Sequence, residues 1–169
     1  MAARACRLVT VPKRLVALAA LALTCIAPAV AQHAKPQSAE EIRTIALVNR
    51  AAGLLERRGK TLAFAEFRKP NSEWFHDDTY LFAYDMDLNV LLNPAFPERE
   101  GRNLAGQHDA TGKAVHDEIL SVVTANRAGW VDSVIARPGS TTPARKRVYV
   151  VSVMIDGRPG ILGSGFYPQ

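Results

Sequence analysis

The chain has 169 residues, with 21 lysines and arginines against 16 aspartates and glutamates, which gives a formal net charge of +5. Four of the basic residues and none of the acidic ones lie in positions 1–31, so the rest of the chain carries a net charge of only +1. This balance excludes a charge-driven nucleic-acid binder. Because Cys6 and Cys25 lie in the same segment, it also leaves residues 32–169 without a disulfide or a thiolate metal ligand.

The first 31 residues have the three parts of a secretory signal peptide. A basic start precedes the apolar run "LVALAALALTCIA", which is shorter than the roughly 20 residues that a membrane span needs. Small residues follow at Ala29 and Ala31, the positions that signal peptidase requires. We therefore expect cleavage after Ala31 and a periplasmic or secreted product of residues 32–169, with retention of the segment as a membrane anchor as the alternative.

A long amphipathic helix is predicted to begin at Ser38. Ser38 and Glu41 form an S-x-x-E capping box, and Gly59 provides a C-terminal cap. Apolar residues recur at helical spacing and define one predicted buried stripe: Ile42, Ile45, Val48, Ala52 and Leu55. We expect this helix to pack on a sheet, and a homodimer contact through it is the alternative. A second, short helix is predicted before Pro70.

The stretch "TYLFAYDMDLNVLLN" predicts a β-hairpin. In its first strand Tyr80, Phe82 and Tyr84 share one face, while Leu81 and Ala83 share the other. Because both faces carry apolar side chains, we expect a sheet that is covered on both sides.

The second half of the chain predicts a long loop, a helix and three strands. Residues 94–112 contain two prolines and three glycines, as binding loops often do. The helix spans residues 112–129, with Val115, Ile119, Val122 and Val123 as its buried stripe and Gly129 at its end. Strands follow at residues 130–137, 146–154 and 160–167. The element order predicts one α+β domain with a central antiparallel sheet of about five strands.

This order, with the residues that mark it, resembles the single Cache domain family of PAS-like extracytoplasmic sensor domains. The resemblance rests on an ordered set of short motifs: "YLFAYD" (80–85), "DLNV" (87–90), "NPAFPEREGRNL" (93–104), "DATGK" (109–113), "RAGWV" (127–131), "KRVYV" (146–150) and "GSGFY" (163–167). Three positions depart from the family's usual pattern. Asn89 replaces the turn glycine, Asn93 stands where many members carry histidine, and Arg102 stands where lysine is common.

The resemblance implies that a small ligand, such as a short carboxylate or an amino acid, binds between the sheet and the long loop. Arg147 is the predicted carboxylate clamp because its guanidinium can make two parallel hydrogen bonds, and Tyr149 shares its strand face. The other residues predicted to line the site are mostly aromatic: Trp74, Phe75, Tyr80, Phe82, Tyr84, Asn93 and Trp130. No cofactor and no metal ion is expected.

Two other classes of function are consistent with the residues. A secreted docking protein without its own ligand is one alternative. A hydrolase is the other, but the chain has no catalytic cysteine after residue 31, and Ser164 lacks the G-x-S-x-G context. Because the sequence stops two residues after "GSGFY", we expect the domain to carry no output helix of its own. It would then signal through a partner such as a membrane receptor or a kinase.

Overall fold

A computed structural model describes residues 38–168, so the predicted signal peptide lies outside the described residues. No helix in this part of the chain is long and apolar enough to cross a membrane. The elements in chain order are α1 (Ala39–Phe67), β1 (Phe75–His76), β2 (Thr79–Asp85), β3 (Val90–Leu92), a 3-10 turn (Pro97–Arg99), α2 (Val115–Asn126), β4 (Ala128–Ala136), β5 (Pro143–Ile155) and β6 (Arg158–Phe166).

The six strands form one antiparallel sheet in the order β1-β2-β6-β5-β4, and β3 pairs with the end of β2. The closing strand β6 therefore lies in the middle, between β2 and β5. This arrangement confirms the predicted α+β class and the β2–β3 hairpin. The sixth strand is β1, which is two residues long and was not among the predicted strands.

Helix α1 begins with the predicted capping box: the Ser38 side chain accepts from the Glu41 amide and Glu41 accepts from the Ser38 amide. Gly59 interrupts the helix with a φ of 72°, so the predicted break between two helical segments is confirmed. The predicted buried stripe is partly wrong, because Ile42 is 56% exposed. In this part of α1 the buried side chains are Thr44, Leu47, Val48, Ala51 and Leu55, of which only Val48 and Leu55 belong to the predicted stripe.

Both faces of the sheet are covered, as predicted. On one face α1 packs against Leu81, Ala83 and Leu162. On the other face α2 and the 94–112 loop pack against the aromatic side chains of β2 and against Val148 and Val150. We call these the helix face and the loop face.

The loop after β3 is also attached to the outer edge of the sheet. Burial raises the pKa of Asp109, but its carboxylate accepts hydrogen bonds from the Thr111 hydroxyl and from the amides of Val134, Thr111 and Lys113, and together these lower the pKa to about 2. The Ala110 amide donates to the Val134 carbonyl at 3.2 Å. The "DATGK" motif therefore covers part of edge strand β4, which would otherwise expose unpaired backbone groups.

Helix α2 ends earlier than predicted. Its C-cap is Arg127, in the left-handed region with a φ of 65°, rather than Gly129. Gly129 belongs to β4 instead, where an added Cβ would lie 2.6 Å from Cγ1 of Val122. The glycine is therefore required for close packing of strand on helix and not for ending the helix.

Candidate functional site

The loop face of the sheet carries a row of aromatic side chains from β2. Tyr80, Phe82 and Tyr84 are each no more than 4% exposed, and they lie on one face because side chains alternate along a strand. The rings of Phe82 and Tyr84 are 4.9 Å apart, and Tyr80 meets Phe96 of the loop edge-on at 5.8 Å. The row forms an apolar wall with two hydroxyl groups on it.

Strand β6 makes room for this wall because it has no side chains at two positions. A Cβ on Gly163 would lie 2.4 Å from Cζ of Phe82. A Cβ on Gly165 would lie 2.5 Å from the carbonyl oxygen of Arg147 and 3.1 Å from Cε of Lys146. The "GSG" of the closing motif therefore lets an aromatic ring and a lysine stem lie directly on the strand.

Lys146 is the charged group at the centre of the loop face. The residue is 2% exposed, and its Nζ donates a 2.7 Å hydrogen bond to Oη of Tyr80. No carboxylate of residues 38–168 lies within ion-pair distance of Nζ. Burial lowers the pKa of Lys146 to about 7, with the nearby charge of Asp78 raising it and that of Arg99 lowering it. The amine is thus desolvated, and its one hydrogen bond among residues 38–168 is the one to Tyr80.

Arg99 brings a second positive charge from the loop. It ends the 3-10 turn, and its Cζ lies 5.1 Å from the centre of the Phe96 ring. Among the described residues it forms no ion pair. The turn is held by Asn93, whose side-chain oxygen accepts from the Phe96 amide at 3.1 Å and whose own amide donates to Glu100 at 2.8 Å. In the structure Asn93 therefore positions the loop that carries Arg99.

His116 closes the site from α2. Its ring meets that of Tyr84 edge-on at 5.6 Å, and its buried Nδ1 has no hydrogen-bond partner among residues 38–168. Burial, followed by the charge of Arg99, lowers the pKa of His116 to about 4. The imidazole is therefore neutral at pH 7 and can donate or accept a hydrogen bond.

The rim of the site is formed by Tyr167, Arg137 and Asp78. Tyr167 Oη donates to the Ala136 carbonyl at 2.8 Å, and Cζ of Arg137 lies 4.5 Å from the centre of the same ring. The Arg137 guanidinium is paired with the Asp78 carboxylate. Nζ of Lys146 lies 5.0 Å from the Tyr167 ring centre, so two cations share one aromatic ring.

The predicted site residues are divided between the two faces. Tyr80, Phe82, Tyr84 and Phe75 belong to the loop face, where Phe75 packs at the margin. Trp74 instead belongs to the helix face, with its ring 5.2 Å from that of Phe67.

Arg147, Tyr149 and Trp130 also lie on the helix face. Nε of Arg147 is 3.0 Å from Oε1 of Glu41, and its Cζ lies 5.2 Å from the Trp130 ring centre. The Trp130 and Tyr149 rings are 5.1 Å apart. Arg147 and Tyr149 do share a face, as predicted, but it is the face opposite the β2 aromatic row.

The sequence analysis did not predict Lys146, Arg99, Tyr167 or His116 as ligand-binding residues. The sequence did contain a signal for Lys146. Side chains alternate between the two faces along a strand, so Lys146 lies on the same face of β5 as Val148 and Val150, opposite to the face of Arg147. No comparable signal existed for Arg99, which lies in an irregular loop. Residues 38–168 contain no group of three or more His, Asp or Glu side chains arranged to hold a metal ion.

Comparison with known proteins gives a consistent result. The family described as Single Cache domain 2 matches residues 61–156. The methyl-accepting chemotaxis protein McpP of Pseudomonas putida is 30% identical over 92 residues, which are 54% of this chain. The match covers only 16% of that relative's length.

Two solved structures share the fold. A periplasmic sensor domain of a chemotaxis protein is 25% identical with a TM-score of 0.59, covering 74% of this chain and 88% of that domain. A Cache chemosensory domain studied for carboxylic acid recognition is 24% identical with a TM-score of 0.62, covering 79% of this chain and all of that domain.

Proposed function

Since this chain belongs to the single Cache domain 2 family, we propose that it is an extracytoplasmic sensor domain that binds a small carboxylate on the loop face. The carboxylate would lie between Lys146, Arg99 and Tyr80, against the β2 aromatic row. Residues 1–31 would direct export, and residues 32–169 would form the sensor.

The observation that carries this proposal is the unpaired amine of Lys146. A buried charge is costly unless it is paired and hydrogen-bonded. Its one hydrogen bond is donated to the hydroxyl oxygen of Tyr80, a neutral group that is itself buried. A ligand carboxylate would supply the missing negative charge and accept from the remaining donors.

The surrounding groups favour a short ligand. Arg99 can supply a second charge-assisted contact, while His116 and Tyr84 offer neutral polar atoms beside it. The aromatic walls are suited to a small apolar chain, as in most small-molecule sites. That a structurally similar Cache domain is associated with carboxylic acid recognition supports the same ligand class.

The site also suggests how binding is transmitted. It draws side chains from β2, the 94–112 loop, α2 and β5, so a ligand that bridges Lys146 and Arg99 would bias the loop toward the sheet. A ligand shifts a conformational equilibrium only through such differential contacts. We propose that the resulting surface is read by a membrane receptor or kinase, since McpP is a chemotaxis protein.

We propose binding rather than turnover. Ser164 is 1% exposed and its hydroxyl donates to the Tyr80 carbonyl at 2.8 Å, so it serves the sheet and is not poised as a nucleophile. A docking protein without a ligand remains the alternative function, and the same experiment separates the two.

The test is a thermal-shift and calorimetric titration of the purified protein with acetate, propionate, succinate and glycine, and with methylamine as a cationic control. A carboxylate that binds only the folded state raises the melting temperature. Lys146→Met should weaken binding of the active carboxylate at least tenfold, whereas the matched helix-face variant Arg147→Met should bind like the wild type. Absence of any shift at millimolar carboxylate would reject the proposal and favour docking.

A further inference from the structure

We propose that Asp78 is an internal competitor for the carboxylate site, and that Arg137 sets ligand affinity by holding Asp78 away from Lys146. This inference rests on the proposed function, because it assigns a regulatory pair to the same site. Neither residue needs to touch the ligand, so both are positioning residues.

The position of Asp78 is fixed by a tight turn. Residues 77 and 78 form the two-residue connection between β1 and β2, in which His76 pairs with Thr79. Asp77 takes a φ of 48°, as such hairpin turns require. The turn stands at the end of β2 that carries Tyr80, so the Asp78 carboxylate is presented at the rim of the loop face.

Two cations flank this single carboxylate. Arg137, directly after β4, is paired with Asp78, and its Cζ lies 4.5 Å from the centre of the Tyr167 ring. Nζ of Lys146 lies 5.0 Å from the centre of the same ring. The charge of Asp78 also raises the pKa of both Lys146 and Tyr167, as expected for a carboxylate within electrostatic reach of the interior. Asp78 therefore has two possible cationic partners.

The observed ion pair with Arg137 keeps the Asp78 carboxylate at the rim of the site. The side chains of Arg137 and Asp78 are 41% and 38% exposed, so their contact leaves both groups hydrated. Turning Asp78 inward would desolvate the carboxylate but would neutralise a buried cation. Without Arg137, Asp78 loses its ion-pair partner at the rim, so the inward arrangement becomes more favourable, and a ligand would then have to displace the Asp78 carboxylate.

Arg137→Gln should therefore convert Asp78 into an inhibitor of its own site. Acetate or succinate, whichever titrates the wild type, should bind Arg137→Gln about tenfold more weakly. The double variant Arg137→Gln/Asp78→Asn should regain wild-type affinity, since the competing charge is gone. Arg137→Lys, which keeps a cation at the rim, should stay near the wild type and serves as the conservative control.

A readout that needs no ligand is the titration of Lys146 followed by NMR of 13C-labelled lysine, with Lys146→Met identifying the resonance. In ligand-free Arg137→Gln the pKa of Lys146 should rise by about one unit as Asp78 turns toward it, and it should fall again in the double variant. An unchanged Lys146 titration in a folded Arg137→Gln protein overturns the inference. If the titration moves as expected but no carboxylate binds the wild type, the coupling of Arg137, Asp78 and Lys146 stands, whereas the proposed ligand class, and with it the role of Asp78 as a competitor, fails.

Discussion

Lys146 and Arg147 are neighbours in the chain but belong to two different regions of the molecule. Arg147 points to the helix face, where Glu41 lies 3.0 Å from its Nε and its side chain remains 37% exposed. Lys146 points to the loop face, is 2% exposed, and has no acidic partner within ion-pair distance among residues 38–168. One strand thus carries two cations, one with its counter-ion supplied by the fold and one without.

The difference shows where the fold accepts an unfavourable charge. The Arg147–Glu41 ion pair joins β5 to the start of α1, although Nε of Arg147 makes no hydrogen bond of good geometry among residues 38–168. Nothing in the described residues compensates Lys146 to the same degree, and groups that break packing rules without compensation are concentrated at functional sites. On this comparison we place the proposed function on the loop face and a structural role on the helix face, and each prediction below tests that division.

The largest effect is expected from adding a methyl group at Gly165, next to the side chain of Lys146. Gly165→Ala would place a Cβ 2.5 Å from a backbone oxygen of β5, which cannot move without disturbing the sheet. We expect a loss of about 3 kcal/mol in the free energy of unfolding, the upper end for overpacking, measured by urea denaturation. Gly53→Ala in α1 is the control, because its added Cβ would meet only the flexible guanidinium of Arg57. For this variant we expect a gain of about 0.5–1 kcal/mol in the free energy of unfolding.

The sequence predicts the local features of the two faces better than the contacts between residues that are distant in the chain. The capping box, the hairpin and the two-sided sheet follow from local patterns, because helix caps and strand alternation involve residues close in the chain. The pairing of Arg147 with Glu41 joins residues far apart in sequence, so nothing local distinguishes it from a ligand contact. Arg99 and Asp78 lie in turns, where no periodicity assigns a face, and only tertiary structure brings them to Lys146.

Removing the unpaired charge should stabilise the ligand-free protein. Lys146→Met replaces a desolvated amine by an apolar side chain of similar length, and we expect a gain of about 2 kcal/mol at pH 6, where the lysine is protonated. The gain should shrink by pH 9, where the wild-type amine is neutral. Denaturation at both pH values measures it, and a loss of stability at pH 6 would mean that Lys146 is already well compensated.

The pH dependence of ligand binding is the next largest effect. The pKa of Lys146 is about 7 in the folded protein, below the unfolded value of about 10.4. Between these values the unfolded state binds more protons, so the stability of the ligand-free protein should rise with pH. Carboxylate affinity should change in the opposite sense, because the carboxylate needs the protonated amine.

Few other groups at the site titrate in the same range. Burial raises the pKa of Tyr80, Tyr84 and Tyr167 and lowers that of His116 to about 4. Affinity for the active carboxylate should therefore fall up to tenfold between pH 7 and pH 8, as measured by calorimetry. Lys146→Met, if it retains measurable binding, should show a flat profile over this interval, and a flat wild-type profile would remove Lys146 from the site.

The smallest effect is expected for the paired cation. The Arg147–Glu41 contact is partly exposed, and exposed ion pairs contribute about 0.2–1 kcal/mol. A double-mutant cycle of Arg147→Met and Glu41→Gln should give a coupling energy in that range by urea denaturation, with carboxylate affinity unchanged in all three variants. The Glu41→Gln side chain can still cap α1, so the cycle isolates the pair from the helix start. A coupling to ligand binding in this cycle would show that the two faces are not separate, because a helix-face pair would then take part in the response of the loop face.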